Sequence, residues 1–333
     1  MVKINETLSN KFQLNSGVPQ GSNLGPLLYL VQVISMAKLP LKTKLFQYAD
    51  DTVLIAAHKD FYEAENMLRN DLHLIQQWVH DNCLILNKNK TTVMHVRPPT
   101  KPSQAVKIHF HSDACLHATK IGNICNCKEI FIQVQNQKYL GVMIDDAFCW
   151  EPHMDSVCKR LRSCAFGLSI LKNCVCKKTL IMVYQALAES VVRYGLTAWG
   201  SGSSTYLFRI EKLQLALLKI IHKKQNNRTK PNLFKTFNVL PVKELWKISM
   251  ITNFYFNNEF RIEYPRTHEQ RRGADRRYFL VPMHNNKHGE NELGVVIPRL
   301  FNELPESLFK CDSYKKVKEE VKKFYIQGLK NNI

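Results

Sequence analysis

The chain has 333 residues, 45% of them hydrophobic and 23% charged, with glycine and proline at 13 each. That is enough apolar material for two domains or three, and it excludes a disordered chain. Lys and Arg total 47 against 28 Asp and Glu, a net charge of +19, which points to a polyanionic partner, most simply nucleic acid.

The basic excess grows along the chain: 10 basic and 8 acidic residues over 1–100, 12 and 7 over 101–200, and 25 and 13 over 201–333. No Lys/Arg-faced helix with a large apolar side is visible, so no membrane partner is expected. Met1–Asn10 lacks the apolar core of a secretory signal. The longest apolar run, Leu24–Met36, is broken by Gln32 and Ser35 and is too short to span a bilayer. The ten cysteines are therefore read as reduced thiols of an intracellular protein, nuclear or cytoplasmic, with no disulfides expected.

In chain order, Ser16–Ser22 (SGVPQGS) reads as a loop and Asn23–Met36 as a helix, with Ser22 as N-cap and Pro26 in the first turn. Leu45–Tyr48 and Thr52–Ala56 read as two strands around a very tight turn. Asp60–His80 is an amphipathic helix, since Phe61, Ala64, Leu68, Leu72, Ile75 and Val79 recur at helical spacing and Asp60 with Glu63 resembles a capping box. Cys83–Leu86 and Thr92–Val96 are expected as strands around the turn Asn87–Lys90. Residues 105–142 are expected as several short strands, ending in Lys138–Met143, a strand with a glycine break. From Trp150 the pattern turns helical, most clearly over His153–Lys172, Lys177–Tyr194 and Glu211–Lys224, with Gly200–Ser204 a connecting loop. The fold expected is α+β to about residue 150 and mainly α afterwards. A second, weaker boundary is expected near Gln225–Pro231.

The sharpest chemical feature is Phe46-Gln47-Tyr48-Ala49-Asp50-Asp51. Two adjacent carboxylates at a hairpin tip repel each other unless a cation is shared between them. Their hard oxygens suit Mg²⁺, and nucleotidyl transfer needs such a pair plus a third carboxylate to hold two metals. Taken alone, the pair is equally an ordinary Asp-containing turn. Context weighs against that. Upstream, Ser16-Gly17-Val18-Pro19-Gln20-Gly21-Ser22 and Leu24-Gly25-Pro26-Leu27-Leu28 form a glycine-punctuated loop that backbone geometry lets approach a ligand closely. Downstream come Leu86-Asn87-Lys88-Asn89-Lys90-Thr91 and Lys138-Tyr139-Leu140-Gly141-Val142.

In this order and spacing, these four segments resemble motifs B, C, D and E of reverse transcriptases, specifically those of non-LTR, LINE-type retrotransposons. Arg193-Tyr194-Gly195 with Trp199-Gly200, Val239-Leu240-Pro241 and Asn302-Glu303-Leu304-Pro305 resemble the C-terminal region of jockey-like elements. The resemblance implies a partial right-hand polymerase palm over residues 1–150, a helical thumb over 151–228 and a basic C-terminal helical region over 229–333. It implies an RNA-directed DNA polymerase fragment that binds RNA template and DNA primer, or their hybrid, and takes deoxynucleoside triphosphates in the intact enzyme. By position, Asp50 and Asp51 would hold Mg²⁺ or Mn²⁺, and Lys90 would protonate the leaving pyrophosphate. Pro19, Gln20, Gly21 and Tyr48 would line the nucleotide and template pocket. Tyr139, Leu140 and Gly141 would belong to the primer grip.

Two departures stand out. The fifteen residues before Ser16 contain no Asp, so the third metal-binding carboxylate of motif A is absent there, and Ile34-Ser35 replaces an Asn-Asp usual near the end of the motif B helix. Both lead to the expectation of a truncated copy that is inactive as this chain. The alternatives are a non-catalytic basic nucleic-acid-binding polypeptide and, more remotely, a group II intron maturase.

His109, His111, Cys115, His117, Cys125 and Cys127 crowd into twenty residues, but their spacings fit no standard zinc knuckle or ribbon, and a hairpin surface is the expected role. Cys174 and Cys176 fare no better. Trp78, Trp150 and Trp246 are expected in packing rather than in base stacking. Arg271-Arg272 and Arg276-Arg277 are expected to contact phosphate.

Overall fold

The computed structural model describes residues 3–5, 7–10, 17, 21–112, 115–116, 127, 129–222, 232–255, 266–271, 274–283, 289–310 and 313–329. It divides into two compact units, one of residues 1–95 and 100–135 and the other of 96–99 and 136–333. Both mix helices with small sheets, so the fold is α+β.

In the first unit a two-residue strand pair, β1 (Lys3–Ile4) and β2 (Thr7–Leu8), precedes helix α1 (Gly25–Val33), which continues as a 3-10 turn over Ile34–Lys38. The expected cap is shifted: Leu24 occupies the N-cap position, while the Ser22 hydroxyl accepts from the Gly25 N–H at 3.1 Å. Strands β3 (Lys44–Tyr48) and β4 (Asp51–Ile55) form an antiparallel hairpin with Tyr48 opposite Asp51. Helix α2 (Phe61–Asp81) begins where its periodicity predicts. The Asp60 carboxylate accepts from the Tyr62 and Glu63 N–H groups at 2.8 and 3.1 Å, so Asp60 caps two of the orphan first-turn donors. The Asp60 N–H itself is taken by His58 Nδ1, not by Glu63.

The apolar stripe of α2 serves two cores. Ile75, Trp78 and Val79 pack with Val33, Met36, Leu45 and Leu54. Phe61, Leu68 and Leu72 pack with Val106, Ile108 and Phe131. Trp78 is buried as expected, and its indole N–H donates to Ser35 Oγ at 3.0 Å, which gives that unusual serine a packing role. Strand β5 (Thr92–Val93) pairs in parallel with β6 (Ile132–Gln133). The strand expected over Cys83–Leu86 does not form. Among the described residues no strand pairs with it, Cys83 takes a φ of 54°, and Ile85 is 93% exposed.

The second unit opens with a hairpin, β7 (Asn136–Tyr139) and β8 (Val142–Asp145), and then becomes helical. The strand with a glycine break expected over Lys138–Met143 is instead a chain reversal, with the break at the hairpin turn. Leu140 and Gly141 sit at φ 45° and 82°, the left-handed pair that a two-residue hairpin turn requires. Buried Asp145 accepts from the Cys149 and Trp150 N–H groups at 2.8 and 2.7 Å, fixing the entry to helix α3 (Glu151–Leu171).

Helix α4 (Lys177–Tyr184) runs through a π-turn at Gln185–Glu189 into α5 (Ser190–Arg193), and α6 (Leu196–Trp199) follows. Helix α7 (Ser204–His222) starts seven residues earlier than expected and packs along α3. The short α8 (Leu233–Thr236), α9 (Val242–Tyr255), the strand pair β9 (Arg266–Arg271) and β10 (Ala274–Phe279), α10 (Leu293–Asn302) and α11 (Tyr314–Gly328) complete it. One large core joins these helices, with Trp199, Tyr184, Leu161, Leu217 and Leu218 at its centre. Trp150 and Trp246 pack against it from the edge. The boundary expected at Gln225–Pro231 lies outside the described residues, as does Arg272.

Candidate functional site

The Asp50–Asp51 pair sits at the tip of the β3–β4 hairpin. Its two-residue turn is Ala49-Asp50, with Ala49 in the left-handed region at φ 52°. That conformation costs a non-glycine residue about 1 kcal/mol or more, so the surroundings must hold it. Tyr29 on α1 supplies one restraint: its hydroxyl donates to the Ala49 carbonyl at 3.0 Å. The Tyr29 phenol is pushed above its usual pKa first by burial and then by the nearby Asp50 charge.

A second restraint lies at the other end of the hairpin. Asp71 on α2 is 2% exposed and accepts from the Thr43 backbone N–H at 2.6 Å, tying the entry of β3 to the helix. Asp71 interrupts the apolar stripe between Leu68, Leu72 and Ile75. A charge on the buried face of an amphipathic helix is the signal that could have identified it from sequence. Gln47 adds a contact from its amide to Met36 Sδ at 3.2 Å.

Asp50 and Asp51 are both exposed, and among the described residues neither carboxylate has an ion-pair partner. Two adjacent unpaired carboxylates on a restrained turn suit a hard divalent cation, which takes oxygen ligands and would relieve their mutual repulsion. Tyr48 precedes them with its ring 65% exposed, facing solvent from the tip. Phe46 and Ile55 on the same hairpin, and Leu27, Leu28, Val31 and Ile34 on α1, are exposed too.

Lys90 closes the turn after α2. Its N–H bonds the Asn87 carbonyl and side chain at 3.1 and 3.2 Å, and its side chain is exposed. Its neighbour Lys88 is engaged with Glu129 at 2.7 Å. Gly21 lies in open space at φ 84°, a conformation that favours glycine. Pro19 and Gln20 lie outside the described residues.

Tyr139, Leu140 and Gly141 belong to the second unit, where the β7–β8 turn is anchored by Tyr194-Gly195. The Tyr194 hydroxyl donates to the Leu140 carbonyl at 2.5 Å. A side chain at Gly141 would meet the Tyr194 ring at 3.1 Å, and one at Gly195 would meet Val142 at 2.8 Å. Trp199 in turn donates to the Tyr194 carbonyl at 2.9 Å. Two sequence segments 54 residues apart are thus one packed corner.

Residues 1–144 match the family described as reverse transcriptase (RNA-dependent DNA polymerase). Among curated proteins the chain is similar to the probable RNA-directed DNA polymerase from transposon BS of Drosophila melanogaster, at 27% identity over 66% of this chain and 24% of that protein. It is similar to the RNA-directed DNA polymerases from the mobile element jockey of Drosophila melanogaster and Drosophila funebris, each at 24% identity over 62% of this chain and 22% of the relative. The chain thus spans about a quarter of the length of these relatives. No solved structure matches it. No helix among the described residues is long and apolar enough to cross a membrane. The matched residues 1–144 contain the glycine loop, the paired-aspartate hairpin, the lysine turn and the glycine hairpin, so over this stretch the chain is similar to the reverse transcriptases.

Proposed function

We propose that this chain forms part of an RNA-directed DNA polymerase of a mobile element, with Asp50 and Asp51 as two of the carboxylates of a divalent-metal centre. The observation that carries the reading is the pair itself: two unpaired, exposed carboxylates on a turn held by Tyr29 at its tip and by Asp71 at its base. Bound Mg²⁺ or Mn²⁺ would activate the primer hydroxyl and stabilise charge on the transferring phosphoryl group. The residues of this chain orient that centre. Tyr29 fixes the carbonyl next to Asp50, and Tyr48 offers an aromatic face at the nucleotide side. Lys90 serves as the cation beside the pyrophosphate, and Pro19, Gln20 and Gly21 line the nucleotide and template pocket. Residues 1–150 act as palm, 151–228 as thumb and 229–333 as a basic region on the product duplex. The Tyr139-Leu140-Gly141 turn grips the primer.

The first aspartate in the chain is Asp50, so the third carboxylate of a two-metal centre is not an aspartate of residues 1–49. The uncovered apolar faces of α1 and the β3–β4 hairpin support a reading in which a further reverse transcriptase segment packs there and brings it. The test is primer extension on an RNA template by the 333-residue chain, alone and with an added segment of a relative that carries such an aspartate. Metal-dependent extension is expected only in the second case and is lost in Asp50→Asn. Extension indifferent to Asp50→Asn would overturn the assignment of Asp50 as a metal ligand, and nucleic-acid binding with no extension under either condition would favour a purely binding polypeptide.

A further inference from the structure

A second cluster of metal-binding side chains lies away from the aspartate hairpin. His111 Nδ1, Cys115 Sγ and Cys127 Sγ all lie within 4.8 Å of one another, each residue half-buried. Three local features bring them together. An antiparallel bridge pairs His109 with Ile130, and Phe110 N–H donates to the Glu129 carbonyl at 2.8 Å. Leu116 N–H donates to the Ser112 carbonyl at 2.9 Å, and Cys115 Sγ lies 3.5 Å from His111 Nδ1. The whole arrangement is tied to α2, because His111 N–H donates to Gln76 Oε1 at 2.8 Å and the His111 ring packs edge-on against His73 at 4.7 Å.

We propose that His111, Cys115 and Cys127 form a structural zinc site that joins Cys127 to His111 and Cys115 beside helix α2. Two thiolates and an imidazole are a borderline-soft set that selects Zn²⁺ over Mg²⁺, Mn²⁺ or Ca²⁺. With Zn–S near 2.3 Å and Zn–N near 2.0 Å, tetrahedral ligands stand about 3.6 Å apart. Cys115 Sγ and His111 Nδ1 are separated by 3.5 Å, so a zinc ion fits between them with little movement. Binding converts two thiols to thiolates and releases two protons to solvent, leaving a Zn²⁺–dithiolate of zero net charge. The fourth position is open to water or one further donor. Sequence spacing alone could not reach this site, because Cys127 stands twelve residues beyond Cys115, outside any short motif.

The full chain, purified under reducing conditions, should retain one zinc per molecule. Replacing zinc with Co²⁺ should give thiolate-to-metal charge transfer in the near ultraviolet and the intense visible bands of a tetrahedral ion. The Cys115→Ser, Cys127→Ser double variant should lose the metal, whereas Cys174→Ser, Cys176→Ser should keep it. A measurement without variants guards against misfolding: zinc should protect Cys115 and Cys127 from alkylation at least tenfold over the metal-free chain, as mapped by mass spectrometry. Substoichiometric zinc, protection at other cysteines, or a Cys115–Cys127 disulfide in place of metal would each overturn the proposal.

Discussion

Replacing Gln214 with Leu tests the polar contact at the centre of the helical core. Gln214 on α7 has no exposed surface. Its amide donates to the Tyr184 hydroxyl at 3.2 Å and to the Leu240 carbonyl at 3.3 Å, and its carbonyl accepts from the Val242 N–H at 2.9 Å. One side chain therefore joins α4, α7 and the Val239–Val242 segment that leads into α9. Leu nearly matches Gln in volume, so the cavity left is small and the cost comes from polar groups. Three buried groups lose a partner, at about 1–3 kcal/mol each, which sums at the low end to about 3 kcal/mol. Tyr184 sharpens the test. Burial pushes its phenol well above the ordinary tyrosine pKa, while the Gln214 hydrogen bond opposes that rise. Tyr184→Phe should cost about 1 kcal/mol in the natural chain and little in the Gln214→Leu background, where the hydroxyl has already lost its donor. The assay is urea unfolding followed by tryptophan fluorescence. A loss below about 1 kcal/mol for Gln214→Leu, or the same cost for Tyr184→Phe in both backgrounds, refutes the reasoning.

The same Gly→Ala substitution should have opposite signs at two places. A Cβ at Gly200 would collide with Trp246 Cδ1 and lie 2.6 Å from the Leu196 carbonyl oxygen, so Gly200→Ala should lose about 2–3 kcal/mol in urea unfolding. Gly167 lies inside α3 with nothing within 4 Å of an added Cβ, so Gly167→Ala should gain up to about 1 kcal/mol in the same assay. His153 is buried beside Trp199, and its Nδ1 accepts from the Met143 N–H at 3.3 Å. Burial, and then the Arg160 charge, lower its pKa below 6.5 in the folded state. The stability it contributes is therefore complete above 6.5 and lost as pH falls from there through the folded pKa, so thermal unfolding midpoints should drop more between about pH 7.5 and pH 5 in the natural chain than in His153→Gln. The charge excess beyond residue 200 should make RNA–DNA hybrid binding steeply salt-dependent, and neutralising Lys315, Lys316 and Lys318 together should flatten the log–log slope by about 0.7–0.9 for every phosphate those lysines had neutralised. An unchanged slope would remove α11 from the binding face.

The elements most legible in the sequence are those whose pattern is local. The β3–β4 hairpin is readable because apolar flanks surround a short polar turn, and α2 because its apolar stripe holds its period through five turns. The Lys138–Met143 segment reads as a strand and folds as a turn, because Leu140 occupies a left-handed position that usually advertises itself with Asn or Gly. Cys83–Leu86 has strand propensity and, among the described residues, no strand to pair with, and propensity alone does not make a sheet. Of the site, Asp50 and Asp51 are visible as a motif. Tyr29 and Asp71, which hold that motif in place, act across 20 and 28 residues of chain, and no short pattern records such pairings.

The Tyr194 corner has a mechanical consequence. With Leu140 held by the Tyr194 hydroxyl and Val142 lying against Gly195, the β7–β8 turn has no hinge of its own. It rides on the junction of α5 and α6, just after the π-turn where the helix ladder is already loosened. The turn and that junction are thus coupled through a single hydroxyl, and its loss in Tyr194→Phe would leave the Leu140 carbonyl without that donor.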